Sequence, residues 1–278
     1  MRRHELTDEE WAVIAPFLPN KPRGVARVDD RRMINGILWR FRTGAPWRNV
    51  PERYGPRTTP YNRLWRFRTG APWRNVPERY GPRTTPYNRF VRWRAAGVWD
   101  RLLEAVSAAY DGDIVMIDAS CVRVHQHGAA IKKGGDDDRC MGRSRGGLTT
   151  KVHALVDAEG RPIHLLLTAG QAGDAPAGRE LLARLARGGI LLADKAYDTD
   201  AIRAEMAGRG GFANVPPRTI RKRTFAFSPR LYRQRNLVER FFNRIKQMRG
   251  LATRYDRRPD NFLAALKLAA VRIWINAL

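Results

Sequence analysis

Two short apolar runs, each closing on an aspartate, set the strongest limit on how this chain folds. Ile114–Ile117 leads into Asp118, and Ile190–Ala193 leads into Asp194. Runs of this length bounded by turn residues have the pattern of strands buried on both faces. Between them, TKVHALVDA and PIHLLLTAG meet at Glu159-Gly160 as a hairpin, and the helix APAGRELLARLA returns the chain to GILLAD. This strand–helix–strand passage predicts an α/β fold. AIRAEMAGRG reads as a further helix, FANVPP as a short strand, and NFLAALKLAAVRIWINA as a helix apolar enough to pack on the sheet.

A carboxylate closing a buried strand is costly unless something pairs with it, and two on neighbouring strands repel. A divalent cation with a preference for oxygen ligands, magnesium or manganese, relieves both problems. Two such ions about 3.5–4 Å apart activate a water or sugar hydroxyl on one side of a phosphodiester and steady the leaving oxygen on the other. The competing reading is that each Asp is only a turn or cap residue. A third carboxylate, Glu239, lies in LYRQRNLVERFFNRIK together with Tyr232, Arg235 and Lys246. At 3.6 residues per turn, Arg235, Glu239 and Lys246 share roughly one helix face, a carboxylate flanked by cations. A solvated Arg235–Glu239 pair, worth a few tenths of a kcal/mol, gives the same pattern.

The order Tyr232, Arg235, Glu239, Lys246 resembles the Glu-region signature of insertion-sequence DDE transposases. Further stretches resemble the IS-five family in particular: Asp118 in MIDAS, GRSRGGLTTKVHALVD from Gly142 to Asp157, LLADKAYD from Leu191 to Asp198, and NLVERFFNRIKQMRGLATRYD from Asn236 to Asp256. The resemblance implies a ribonuclease-H-like catalytic domain, a mixed sheet flanked by helices, over residues 111–278, in which Asp118, Asp194 and Glu239 hold two Mg2+ or Mn2+ ions. It implies an N-terminal all-helical DNA-binding domain over residues 1–110, terminal inverted repeats and target DNA as substrates, and DNA contacts by Tyr232, Arg235 and Lys246. Those side chains suit DNA contact, since arginine offers a planar fork for phosphate oxygens, lysine a point charge and tyrosine a stacking face.

Charge points to the same partner without any family. The chain carries 52 Lys and Arg against 27 Asp and Glu, a formal net charge of +25, and a polyanion is the ligand such a surface attracts. Charge reports non-specific affinity and not the reaction. No apolar run approaches the roughly 20 residues needed to cross a bilayer, and MRRHELTDEEW lacks a signal-peptide core, so a cytoplasmic, nucleoid-associated bacterial protein is expected. Cys121 and Cys140 offer neither a disulfide framework nor a CxxC spacing and are expected to be reduced.

The N-terminal part holds an oddity: Leu38–Arg63 recurs residue for residue as Leu64–Arg89. Repeat folds normally show three or more diverged units, so two identical copies indicate a recent in-frame duplication. The resembling family carries the segment once. Thr7-x-x-Glu10 is a capping box before EEWAVIAPFL, which Pro16 ends or kinks. A second helix is expected from Asp29 or Asp30 to Gly44, and others from Thr59-Pro60 and Thr85-Pro86. Their Arg and Trp residues suit a helix-turn-helix-like reader, while Trp39, Trp47, Trp65, Trp73 and Trp93 equally suit core packing.

Residues 126–145 read as a polar loop. Its Asp136–Asp138 run is a solvated charge run and not a metal site, whereas Arg143, Arg145 and Lys151 are candidates for DNA contact. His153 and His164 lie in strands as packing residues. His125 and His127 lack a third ligand at fitting spacing, which argues against zinc. Three functions remain open: a transposase acting as a homo-oligomer on two element ends, a non-catalytic DNA-binding remnant, and a host nuclease of ribonuclease-H type.

Overall fold

The computed structural model describes residues 5–18, 30–31, 34–35, 91–108, 110, 112–129, 139–185 and 188–275. The expected helix at Thr59-Pro60, the start of the one at Thr85-Pro86, both repeat copies, Trp39, Trp47, Trp65, Trp73 and the Asp136–Asp138 run lie outside them, as does most of the helix expected up to Gly44; residues 91–95, the second half of the Thr85-Pro86 helix, are helical.

Among the described residues, seven strands form one mixed sheet. They are β1 (Ile114–Val124), β2 (Gly142–Ser144), β3 (Gly147–Asp157), β4 (Pro162–Ala169), β5 (Ile190–Leu192), β6 (Phe212–Asn214) and β7 (Thr253–Arg254). β3 pairs antiparallel with β1 over the register Val115↔Asp157 to Arg123↔Thr149, and β4 pairs antiparallel with β3. β5 and β6 continue the sheet in parallel, through Met116↔Leu192 and Leu192↔Asn214. The resulting order β4-β3-β1-β5-β6, three antiparallel strands followed by two parallel to the first, is a ribonuclease-H-like arrangement. Parallel neighbours require crossovers. α3 (Asp174–Leu182) carries the chain from β4 to β5, and α4 (Asp200–Gly208) carries it from β5 to β6.

The apolar runs behave as their composition requires. Val115, Met116, Ile117, Leu191, Leu192 and Ala193 are buried. Asp118, however, does not close its strand. β1 continues six residues beyond it to Val124, because β3 supplies ladder partners as far as Arg123. Within the segment read as a polar loop, Gln126–Ala129 forms a helical turn, and β2 pairs with the start of β3.

Helix α2 (Val98–Ser107) packs against α6 (Pro259–Ile275), and α6 lies on β4. Trp274 at the end of α6 donates its indole N–H to Pro162 O at 2.7 Å, and the Arg161 guanidinium stacks 4.3 Å from its ring centre. At the N-terminus, α1 (Asp8–Ile14) has the capping box expected of Thr7 and Glu10, and Pro16 lies in the 3₁₀ turn that ends it. Glu10 also pairs with Arg272 of α6 at 3.1 Å. Leu6, Ile14, Ile34 and Trp93 belong to the same hydrophobic core as the sheet, and Trp93 meets Trp99 edge-on at 5.4 Å, so Trp93 is a packing residue.

One glycine ties the β3–β4 hairpin to a helix far along the chain. Gly160, at φ +75° in the β3–β4 turn, approaches the backbone of Leu237 so closely that an added Cβ would lie 2.9 Å from Leu237 O. Leu237 lies in the first turn of α5 (Asn236–Lys246), the helix bearing Glu239. The turn thus seats that helix against the sheet, with α5 lying on β1 and β3.

Candidate active site

The site forms where the partners of β1 part. The β1–β5 ladder ends at Met116↔Leu192, and the β1–β7 ladder begins at Arg123↔Thr253. Asp118 lies between these pairings. Asp118 is two residues past Met116 on β1, and Asp194 follows the end of β5 by two residues as the cap of a 3₁₀ turn, near enough to Asp118 to act on its charge. A crevice outside the carboxyl ends of parallel strands is the usual place for ligands in α/β sheets.

Each aspartate is partly held by the backbone. Asp118 Oδ1 accepts from Ala119 N at 2.8 Å, and Asp194 Oδ1 accepts from Ala196 N at 2.8 Å as it caps the 3₁₀ turn Lys195–Tyr197. The cap reading of Asp194 therefore holds for one of its oxygens. Burial pushes the Asp118 carboxyl above the usual carboxylate range. The Ala119 N–H and the Arg235 guanidinium oppose that shift, and Asp194 adds to it.

Glu239 joins the pair through Arg235. The segment LYRQRNLVERFFNRIK, Leu231 to Lys246, is not one α-helix as expected: a turn at Pro229–Tyr232 and a 3₁₀ turn at Arg233–Arg235 precede α5. Backbone angles stay right-handed across these joints, so Arg235 and Glu239 remain one turn apart. Arg235 donates through one nitrogen to Asp118 Oδ2 at 2.9 Å and through the other to Glu239 Oε1. The i,i+4 pair weighed from sequence is therefore present, and the same guanidinium also reaches a carboxylate 117 residues away.

The donor set suits a hard divalent cation, being three carboxylates. Asp118 and Asp194 repel, and the Arg235 guanidinium shows that a positive group fits between Asp118 and Glu239. Among the described residues, no three His, Cys, Asp or Glu side chains gather closely enough to ligate one ion as they stand.

The residues expected to touch DNA divide. Tyr232 packs edge-on against Phe227 at 5.5 Å, with the Arg235 guanidinium 5.7 Å from its ring centre, and Lys246 is exposed at the end of α5. Arg143 and Arg145 are exposed on the β2–β3 hairpin. That hairpin lies near Arg123, five residues and so roughly 16 Å along β1 from Asp118. Lys151 does not point into solvent. Its ammonium donates to Ala172 O at 2.7 Å and to Asp174 Oδ1 at 2.8 Å, so an internal carboxylate has taken the charge expected to reach DNA. His125 stacks on Tyr255, buried His153 bonds Thr168 Oγ1, and no disulfide joins Cys121 and Cys140.

Sequence reasoning missed Asp198, whose buried carboxylate takes Arg203, Arg221 and the Arg218 N–H. Its signal was the second aspartate of LLADKAYD, four residues after Asp194.

Residues 109–274 match the family described as a transposase DDE domain. Residues 6–67 and 64–103 match the family described as "Putative transposase of IS4/5 family", the second match starting at Leu64, the first residue of the second repeat copy. A Brucella ovis protein described as "Putative transposase for insertion sequence element IS6501" is 36% identical over 130 residues, covering 46% of this chain and 100% of the relative. A Sinorhizobium fredii protein, y4sN, is 31% identical over 130 residues, covering 46% of this chain and 83% of its own. Among solved structures, a piggyBac transposase synaptic complex with hairpin DNA aligns at TM-score 0.49 and 10% identity over 95% of this chain and 71% of that one. A Mos1 transposase paired-end complex aligns at TM-score 0.25 and 15% identity, over 85% and 83%. At such scores the assignment rests on the family matches and the sheet order.

Proposed function

The chain belongs to the DDE transposase family of insertion sequences, of the IS4/5 type, and from that premise we propose that it cuts and joins DNA at the inverted terminal repeats of its own element, using Asp118, Asp194 and Glu239. The observation that carries this reading is that Asp194, just past the end of β5, acts on the charge of Asp118, and that Glu239 is tied to Asp118 through Arg235.

Divalent-metal dependence belongs to the family, and for this chain the reading is two Mg2+ or Mn2+ ions held by the triad. When bound, such ions lower the pKa of an attacking water or 3′ hydroxyl and neutralise charge on the leaving oxygen. The residues of the chain supply position. The β1–β5 ladder pairs the strands that lead toward Asp118 and Asp194, and α5, seated on the Gly160 turn, carries Glu239, which Arg235 ties to Asp118. Once freed from its carboxylates, Arg235 presents a planar fork to a phosphate, with Tyr232 beside it and Lys246 farther along α5. Arg143 and Arg145 would meet the duplex away from the cut. Residues 1–110 would read the repeat, although the described part of that segment shares its core with the catalytic sheet. Two ends must be brought together, so the active form would be a homo-oligomer. Among the described residues no helix is long and apolar enough to cross a membrane.

The break in the IS4/5 family match at Leu64 favours a second reading, an element remnant that occupies the repeats without cutting them. Strand transfer separates the readings. With Mg2+ and a supercoiled target plasmid, a pre-cut terminal-repeat duplex ending in a 3′ hydroxyl is expected to yield joined products that Glu239→Gln abolishes. Binding without joining would establish the remnant, and random nicking without joining would indicate a nuclease.

A further inference from the structure

Residues 215–228 link β6 to the turn that precedes Arg235, and they are clipped down at both ends. At the first end, Arg218 donates its backbone N–H to Asp198 Oδ2 at 2.8 Å. Its side chain donates to Lys195 O at 3.0 Å and Ala196 O at 2.7 Å, the carbonyls immediately after Asp194. Arg221 closes a turn onto Arg218 O and bonds Asp198 Oδ2 at 2.7 Å. At the far end, Ser228 exchanges two hydrogen bonds with the Asn214 side chain and caps the turn carrying Tyr232. Phe225 lies under the guanidinium groups of Arg203, Arg221 and Arg223. The strap therefore joins the backbone beside Asp194 to the helical segment bearing Arg235 and Glu239.

Its tip is chemically unusual. The turn from Arg218 to Arg221 carries Thr219 and Ile220 at its centre, and Ile220 is 84% exposed. A β-branched apolar side chain has no local reason to occupy a turn, where Gly, Asn, Asp and Ser serve better. A lone exposed isoleucine is ordinary, but this one stands on a braced loop, two and three residues before the exposed Lys222 and Arg223, in a turn whose Arg218 clamps the backbone at the exposed Lys195. Apolar wedges inserted between base steps, with cations on the flanking phosphates, are a recurrent means of opening a duplex.

We propose that this strap receives the DNA flank next to the scissile phosphate, with Ile220 packing against bases unstacked at the cut end and Lys222 and Arg223 holding the adjoining phosphates. The proposal rests on the transposase reading and adds a contact that the triad does not supply. Charge selects nucleic acid as the occupant. A second copy of this chain, the other partner an exposed isoleucine could serve, would bring the same cations against its own.

The test uses the full chain with a fluorescein-labelled duplex of about 30 base pairs, blunt or with a few unpaired nucleotides splayed at one end. Ile220→Ala is expected to weaken binding to the splayed duplex by about fivefold, to leave blunt-duplex binding unchanged, and to keep the melting temperature, while Ile220→Leu restores affinity. Lys222→Ala with Arg223→Ala is expected to weaken both probes and to lower the slope of log K against log salt by about two. Unchanged affinity of Ile220→Ala for the splayed probe would overturn the proposal and leave the transposase reading standing. So would a loss of self-association in sedimentation without loss of DNA affinity. Failure of the unaltered chain to bind either probe would sink both.

Discussion

The Arg235 guanidinium bonds Asp118 Oδ2 at 2.9 Å and holds Glu239 with its second nitrogen, so one cation spans two carboxylates brought from opposite parts of the chain. Its charge does provisionally what a divalent ion would do, offsetting the repulsion that Asp118 feels from Asp194. Arg235→Ala is therefore expected to bind Mn2+ about fivefold more tightly in the absence of DNA, the scale of a ~1 kcal/mol partly exposed contact. The same variant is expected to cut DNA more slowly. A titration of free Mn2+ by its paramagnetic resonance signal measures the first effect, and unchanged or weaker binding would refute it.

Asp198 anchors the strap from a fully buried position, accepting from Arg203, Arg221 and the Arg218 N–H. Removing one partner of a buried ionic network leaves the others uncompensated, at a cost of about 3–5 kcal/mol. Asp198→Ala is expected to lose about that much in urea denaturation. A loss below ~1 kcal/mol would mean that solvent replaces the carboxylate freely.

Two strand histidines make stability depend on mild acid. Burial lowers His153 to about 4 and His164 to about 4. In the unfolded chain both return to the ordinary value near 6.5. Between those values the unfolded state binds protons that the folded state refuses, so stability is complete above about pH 6.5 and falls as pH drops toward 4. Thermal melts at pH 7 and pH 5 are expected to show the lower transition at pH 5, and His153→Gln is expected to reduce the difference. Equal transitions for the unaltered chain at both pH values would contradict the assignment.

The duplicated segment gives a prediction of its own. Two identical copies cannot fill one place in a compact domain, and the IS4/5 family match restarts at Leu64. Deleting residues 64–89 is expected to tighten specific terminal-repeat binding while leaving the fold of the catalytic sheet unchanged. Equal affinity for the repeat with and without the segment would show that the second copy is harmless.

Much of the fold was legible in the sequence. The Glu159-Gly160 hairpin, the Thr7–Glu10 capping box and the crossover helix between β4 and β5 rest on local chemistry that a sequence displays. The extension of β1 beyond Asp118 was not legible, because Ala119–Val124 is interrupted by Ser120 and Arg123 and becomes a strand through its pairing with β3. Lys151 looked available for phosphate until the fold set Asp174 beside it. Arg254 shows the same limit: a fully buried arginine inside a basic chain, it is satisfied by the carbonyls of Cys140, Asp256 and Arg257 and by Thr150 Oγ1. Such partners are set by tertiary contact, which spacing along the chain does not reveal. Asp118, Asp194 and Glu239 stand out in the sequence because three separate motifs carry them, whereas the Arg235–Asp118 tie joins residues 117 positions apart.

The most direct measurement is cleavage of an end-labelled duplex bearing the element's terminal repeat, with Mg2+ or Mn2+, by the unaltered chain, by Asp118→Asn and by Glu239→Gln. The triad account predicts metal-dependent cuts at the repeat boundary by the unaltered chain and a loss of at least about a thousandfold in each variant, with DNA binding retained. Cleavage that survives either substitution would contradict it.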